Sequence, residues 1–267
     1  MIGCGVLGIG VFGPGLADWP AARAVFEGSV PYERGETPVP SSDLLPPAER
    51  RRATPSTRIA LTVAQQALTH AQLDATSMPA VFASSSGNPD IIHDICAMLA
   101  TGDYQISPTK FHNSVHNAAS GYYSIAVKSH CAVTSLCAFD DTGTAALLEA
   151  AMQASANDAP VLMVCYDLPY PFPLSEARPT VDAWALALVL APSGSDAAVA
   201  QLTLRDTGED CADTELIDAA LNTARAGNPT ARLLPLLSAI ARPPSQVVLR
   251  QGSGRALIVD IAPCSRQ

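Results

Sequence analysis

The chain has 267 residues, 48% of them hydrophobic, which is enough to bury a proper core in one α/β domain with appendages. Its formal net charge of −9 argues against nucleic acid and anionic membrane as partners, because such a surface repels both; a small ligand or another protein remains. No run approaches the roughly 18 apolar residues of a membrane helix, so no membrane insertion is expected, and seven cysteines without framework spacing suit a cytoplasmic protein.

In chain order, residues 2–13 read as a glycine-rich buried strand, and no basic stretch precedes it as in a signal peptide. An amphipathic helix follows at about 18–27, with Trp19, Ala22, Val25 and Phe26 on one face. Residues 28–57, rich in proline and charge, read as mostly loop. "PSTRIALTVAQQALTHA" (55–71) predicts a helix with Ile59, Val63, Ala67 and His70 on one stripe. "MPAVFASSSG" is a short strand ending in a turn, and "NPDIIHDICAMLA" a helix with Asn88 as cap and Pro89 at its first position. "SPTKFHNSVHNAASGYYSIAVKSH" reads as a loop and then a long helix, "AVTSLCAF" as a strand, and "DDTGTAALLEAAMQASA" as a helix with acids at its positive end. "APVLMVCYDL" and "AWALALVLAP" are strands apolar on both faces, separated by the proline-rich "PYPFPLSEARPTVD". A strand at 199–205, an acidic turn at 206–214, helices at about 214–224 and 230–241 and a closing strand "RALIVDIAP" complete the chain. The alternation predicts an α/β protein with a largely parallel sheet.

Several candidate sites weaken on inspection. Gly3, Gly5, Gly8, Gly10 and Gly13 twice satisfy G-x-G-x-x-G, but the glycines lie within the first strand rather than after it, so close strand–helix packing is expected instead of a dinucleotide. His112 and His116 stand four apart on the expected helix, with Cys131 and Cys137 downstream; the cysteine spacing is not that of a zinc knuckle, and hydrogen-bonded polar groups are the plainer reading. Ser84, Ser85 and Ser86 lack the G-x-S-x-G elbow and read as a turn. Arg50, Arg51, Arg52 and Arg58 form one dense basic cluster, either a solvated helix entry or a docking surface for an acidic partner. The seven cysteines (4, 96, 131, 137, 165, 211, 264) show no framework spacing and read as reduced, buried thiols. No cofactor or metal is called for.

Taken in order over residues 1–195, these segments resemble the β-ketoacyl synthases of the thiolase fold: "GVLGIGVFGPG", "RRATPSTRIALTVAQQAL", "VFASSSGN", "SPTKFHNSVHNAASGYYSIAVKSHCAVTSL" and "GTAALLEAAMQA". The resemblance implies a ketosynthase-like N-terminal domain over 1–195 and, over 196–267, a degenerate remnant of the second half packed on the same core. In the family pattern the nucleophilic cysteine stands three residues before the glycine that opens the next helix. With Gly143 and Ser135 fixing the register in "SLCAFDDTG", that place falls on Asp140, and Cys137 lies three residues too early, a core thiol within its strand. A carboxylate at a helix mouth is stabilised as an anion and makes a good cap but a poor nucleophile. The synthases' second-half histidines have no counterpart either, since the five histidines at 70, 93, 112, 116 and 130 all precede residue 131.

Among relatives, the chain is most similar to the short synthase-like proteins that act as chain-length factors in clusters for aryl polyene or xanthomonadin-type pigments. That implies a heterodimer with an active β-ketoacyl-ACP synthase, with acyl carrier protein as an indirect partner. The resemblance places Phe111, His112, Asn113, Val115, His116 and Tyr122, with Phe139 and Asp140, at the interface and the partner's acyl channel. It also suggests that the missing half leaves apolar surface for a partner to cover. Two alternatives stay open: a cysteine-dependent acyltransferase or thioesterase using Cys137 or Asp140 with His112 or His116, and a homodimeric or carrier-docking module built on the Arg50–Arg58 cluster.

Overall fold

Runs of small and β-branched residues form eight strands: β1 (Ile2–Phe12), β2 (Ala80–Ala83), β3 (Val133–Leu136), β4 (Val161–Asp167), β5 (Trp184–Pro192), β6 (Ala200–Asp206), β7 (Ser245–Gln251) and β8 (Arg255–Pro263). A computed structural model describes residues 1–39, 44–102, 104–252 and 254–264, and in it all eight strands join one sheet in the order β3-β2-β4-β5-β1-β6-β8-β7. The helices are α1 (Trp19–Phe26), α2 (Pro47–Arg52), α3 (Pro55–Ala71), α4 (Pro89–Ala100), α5 (Pro108–Ser114), α6 (Ala118–Val127), α7 (Thr142–Asn157), α8 (Leu174–Ala177), α9 (Ala219–Gly227) and α10 (Leu234–Ala241).

The sheet is mixed, which corrects the expectation of a largely parallel one. Only β2 pairs in parallel, with β3 and with β4; the remaining five pairings are antiparallel. The reason lies in the connections. Helical crossovers of the β-α-β kind join β2, β3 and β4, whereas the proline-rich loop after β4 returns the chain antiparallel into β5, and β7 turns directly into β8.

The sheet is covered on both faces. On one, α3 and α6 pack over Phe12, Phe82, Leu162 and Val164; on the other, α1, α7, α9 and α10 pack over Val6, Met163, Leu188 and Val259. A register shift between Val6 and Gly8 changes the parity of β1, so Ile9 and Val11 continue the face begun by Cys4 and Val6. The same shift turns Gly8 and Gly10 toward α3. A Cβ on either would lie 2.1 Å from a backbone carbonyl of that helix, so these glycines serve close packing, as expected. His70 and Gln66 of α3 accept the N–H groups of Ile9 and Val11, satisfying the part of β1 that β6 does not reach.

Other expectations are also corrected. The stretch 28–57 is mostly loop in its described part, as expected, with α2 within it, whose proline start and arginine-rich body fit a short helix. The long helix after Pro108 is two helices, because Val115 is extended and breaks the run. Strand β7, with polar residues outward, was not expected. Leu221, Leu233, Leu236 and Leu237 of the C-terminal segment are buried in the core beneath one face of the sheet, so the apolar surface expected to await a partner is covered there by the chain itself. Of the cysteines only Cys4 and Cys165 are buried; Cys96 and Cys137 are exposed and the others half-buried. Burial pushes the Cys4 thiol up to about 12 and raises that of Cys165, so both are inert. Among the described residues, no helix is long and apolar enough to cross a membrane.

Candidate functional site

Strand β3 ends at Leu136, and a single 3-10 turn, Phe139–Asp141, delivers the chain into α7. Phe139 holds φ at +54°, a left-handed conformation costing a bulky residue about 1–2 kcal/mol. Thr142 stabilises it: its hydroxyl donates to the Phe139 carbonyl (2.7 Å) and accepts from the Ala138 N–H (3.0 Å). Gly143 is required just inside α7, since a Cβ there would come within 2.9 Å of Leu233.

Asp140 and Asp141 sit at the positive end of α7, and arginines hold both. Arg178 Nη2, from the loop between β4 and β5, donates to Asp140 Oδ1 (2.6 Å) and to Ser85 Oγ (3.0 Å), and the guanidinium carbon lies 3.7 Å from the centre of the Phe139 ring. Arg232 Nη1 donates to the Asp140 carbonyl (3.2 Å) and lies 3.7 Å from Asp141 Oδ1, which also accepts from the Gly252 N–H. Cys137 lies outside β3 and outside the core, correcting the buried-thiol expectation. Among the described residues its sulfur has one polar contact, with the Ser85 carbonyl at 3.7 Å, and no imidazole is hydrogen-bonded to it.

Beneath this mouth lies Asp167, fully buried at the end of β4. Its Oδ1 accepts from Ser84 Oγ (3.1 Å), Ser85 N (2.8 Å), Ser86 N (3.0 Å) and Ser86 Oγ (3.1 Å), and its Oδ2 from Thr230 Oγ1 (2.9 Å). Burial pushes the carboxyl above the usual range, and the donors from Thr230, Ser86 and Ser84 partly offset this. The serines therefore form a turn, as expected. The arrangement is no Ser-His-Asp triad, because Asp167 bonds the serine directly and His116 Nε2 bonds the Ser84 carbonyl (2.9 Å). Asn228 ties the same knot to the C-terminal segment, donating to Asp167 O and Asp182 O and accepting from Thr230 N.

The structure separates the residues expected at the interface. Asn113 and Tyr122 are buried: Asn113 Nδ2 donates to Arg52 O (3.1 Å), and Asn88 Nδ2 donates to Asn113 O (2.8 Å). Burial, with help from Glu49, raises the Tyr122 phenol. Phe111, His112, Val115 and His116 are exposed, and His112 meets Tyr122 edge-on at 5.9 Å. Phe139 is exposed and Asp140 half-exposed. In the basic cluster, Arg50 donates to Leu45 O and Arg52 pairs with Glu49. Among the described residues, no group of three or more His, Cys, Asp and Glu side chains could hold a metal ion.

Sequence reasoning missed Arg178, Arg232, Asp167 and Asn228. For Asp167 a signal existed: it is the only charge in the apolar run "VLMVCYD", and a charge in a covered strand must find partners. Arg178 is the one basic residue in its proline-rich loop, and nothing in its spacing points to Asp140, 38 residues earlier.

Residues 24–252 match the family described as beta-ketoacyl synthase, N-terminal domain. The chain belongs to that family. No curated protein matches it. Solved structures resemble it over nearly its whole length. One is a ketosynthase (ApeO) in complex with its chain length factor (ApeC) from Xenorhabdus doucetiae, 22% identical, covering 97% of this chain and 100% of that one, with a TM-score of 0.73. The ishigamide ketosynthase/chain length factor is 12% identical, covers 99% and 100%, and has a TM-score of 0.70. A type II polyketide synthase acyl-carrier protein in complex with its ketosynthase bound to the hexaketide is 13% identical, covers 98% and 99%, and has a TM-score of 0.71. These likenesses establish the thiolase-like ketosynthase fold.

Proposed function

We propose that the chain is a non-catalytic chain-length factor of the cytoplasm, paired with an active β-ketoacyl-ACP synthase in polyene or fatty-acid-like biosynthesis of the aryl polyene type. The observation that carries this reading is Asp140, at the mouth of α7 and tied to Arg178. The carboxyl group of an aspartate cannot do a thiolate's work on an acyl thioester, so condensation falls to a partner. Strand β3 supports the pairing: among the described residues it ends the sheet with a neighbour on one side only, and Phe111 and Ile125 stand exposed on the two helices that precede it, with Val115 exposed between those helices. A side-chain wall set against a partner's acyl channel limits chain length, because each further methylene needs space or must desolvate a polar group. The ketosynthase in complex with its chain length factor and the ishigamide ketosynthase/chain length factor, which share this fold, support such a pair.

Co-expression with an intact β-ketoacyl-ACP synthase of the aryl polyene type, followed by gel filtration, is expected to give a stable one-to-one complex. The isolated chain is expected neither to condense malonyl units nor to react with cerulenin. Failure to associate with an intact synthase would overturn the reading.

The exposure of Cys137 favours one second reading, an acyltransferase or thioesterase acting through that thiol. Incubation with an acyl thioester and peptide mass spectrometry decides it: a stable adduct at Cys137 supports this enzyme, and an unmodified thiol removes it.

A further inference from the structure

The chain after α1 folds back onto the turn that ends β1 and stands on it at two points. Tyr32 OH donates to the Pro14 carbonyl (2.8 Å); further on, Thr37 Oγ1 donates to the Gly13 carbonyl (2.7 Å) and accepts from the Gly15 N–H (3.0 Å). The approach is close enough to demand glycine: Gly15 holds φ at +72°, and a Cβ there would lie 2.1 Å from the Glu33 carbonyl oxygen. Arg34, Gly35 and Glu36 form the tip between these two feet.

The tip stands over a cavity of about 320 Å³, large enough for a small molecule, whose other wall is Phe12, Gly13, Pro14, Asp182 and Ala183. Among the described residues the tip makes one hydrogen-bonded contact across this gap: Arg34 Nη2 and Nε donate to the two carboxylate oxygens of Asp182, at 2.6 and 3.2 Å. Gly35 adds no packing, since nothing lies within 4 Å of where its Cβ would stand. The two ends of the pair are held differently. Asn228 Nδ2 donates to the Asp182 carbonyl (3.0 Å) and to the Asp167 carbonyl (3.3 Å), which anchors Asp182 on the knot beneath α7. The Arg34 side chain is 60% exposed, so salt screens its attraction to Asp182 and the pair holds weakly. A tip footed on one turn and fastened across a gap by one screened pair opens at small cost.

We infer that Arg34–Glu36 is a flap over this cavity and that the Arg34–Asp182 pair is its latch, so that breaking or screening the pair opens the cavity to small molecules. This holds whether or not the chain pairs with a synthase. A cysteine placed on the far wall, by Ala183→Cys, reads the access. The full chain carrying it is treated with N-ethylmaleimide, with and without Arg34→Ala, and labelling is followed by peptide mass spectrometry against native Cys96, exposed on α4. Loss of Arg34 should raise labelling at position 183, relative to Cys96, about two- to fivefold, the change in open population that one screened ion pair controls. Removing a nearby cation by itself lowers the thiolate fraction, so a rise reports access. About 1 M NaCl should bring the native flap close to the variant and leave the variant's ratio unchanged. A ratio unmoved by Arg34→Ala, whether both thiols stay slow or both speed up, overturns the inference. As an independent check without the added cysteine, cleavage after Glu36 by a glutamate-specific protease should rise about two- to fivefold in Arg34→Ala and in Asp182→Asn, the latter suited to the left-handed backbone there (φ +59°). The two variants combined should give no further rise; additive effects would show that these residues do not act as a pair and would overturn the latch.

Discussion

The mouth of α7 and the segment from α4 to β3 are neighbours in sequence and opposites in finish. At the mouth, polar groups from four distant stretches, around residues 85, 140, 167 and 230, are bonded to one another, and the chain closes on itself there. From α4 to β3, apolar side chains stand in solvent and, among the described residues, a sheet edge lacks its second neighbour. In an active condensing enzyme the reverse is expected, with a reactive group left free at the helix mouth. The contrast teaches that the polar residues of this chain hold a shape, while its incompleteness lies at a surface that another subunit can complete.

The largest expected effect tests the closed region. Asp167→Ala would take the acceptor from the N–H groups of Ser85 and Ser86 and from three hydroxyls around a fully buried carboxyl, at a cost of about 3–5 kcal/mol in urea denaturation. Asp167→Asn keeps an acceptor and should cost about 1–2 kcal/mol. The pH dependence has a definite sign. Burial raises the folded carboxyl above its unfolded value, so the protonated form is favoured in the fold; the stability that this supplies is complete below about pH 4 and is lost as pH rises through the folded pKa. The advantage of wild type over Asp167→Asn should therefore shrink from acid to neutral pH. An advantage that grows with pH would mean that the five donors outweigh burial.

The next effect tests the open region. Phe111 is 65% exposed, so Phe111→Asp should leave the stability of the free chain within about 0.5 kcal/mol. Association with the synthase should fall at least about 30-fold, the equivalent of about 2 kcal/mol, as for an aromatic anchor in an interface. Wild-type binding by this variant would break the comparison, because the exposed surface would then not be the one that associates.

How far the sequence disclosed all this depends on the range of the interactions involved. The stripe Ile59–Val63–Ala67 is local and periodic, and α3 forms where it predicts, with Thr54 capping its first turn. The glycines of β1 announce close packing because no side chain fits there. Strand direction was not legible: both a helical crossover and a proline loop separate apolar runs, and only the second returns the chain antiparallel. The break at Val115 was missed because "HNSVHN" carries no proline or glycine to mark it. At the candidate site, Asp140 was visible from its distance to Gly143, whereas its partner Arg178 was not, since pairing across 38 residues is set by the path of the β4–β5 loop. Cys137 was read as core because its neighbours are apolar, but β3 stops one residue before it.

The smallest effect concerns that same pair and sharpens the contrast most. The side chains of Arg178 and Asp140 are 21% and 44% exposed, so solvent screens their attraction, and a double-mutant cycle of Arg178→Ala with Asp140→Asn should give a coupling of about 1 kcal/mol. Arg178→Ala alone should cost slightly more, about 1–2 kcal/mol, because the stacking on Phe139 is lost as well. Lysine should not restore it fully, since an ammonium does not reproduce the planar contact of the guanidinium with the Phe139 ring. Binding to the synthase should be unaffected in each variant when measured beside Phe111→Asp. A loss of binding in Arg178→Ala comparable to that in Phe111→Asp would join the two regions into one interface, and the mouth of α7 would then have to be counted as part of the surface that the partner completes.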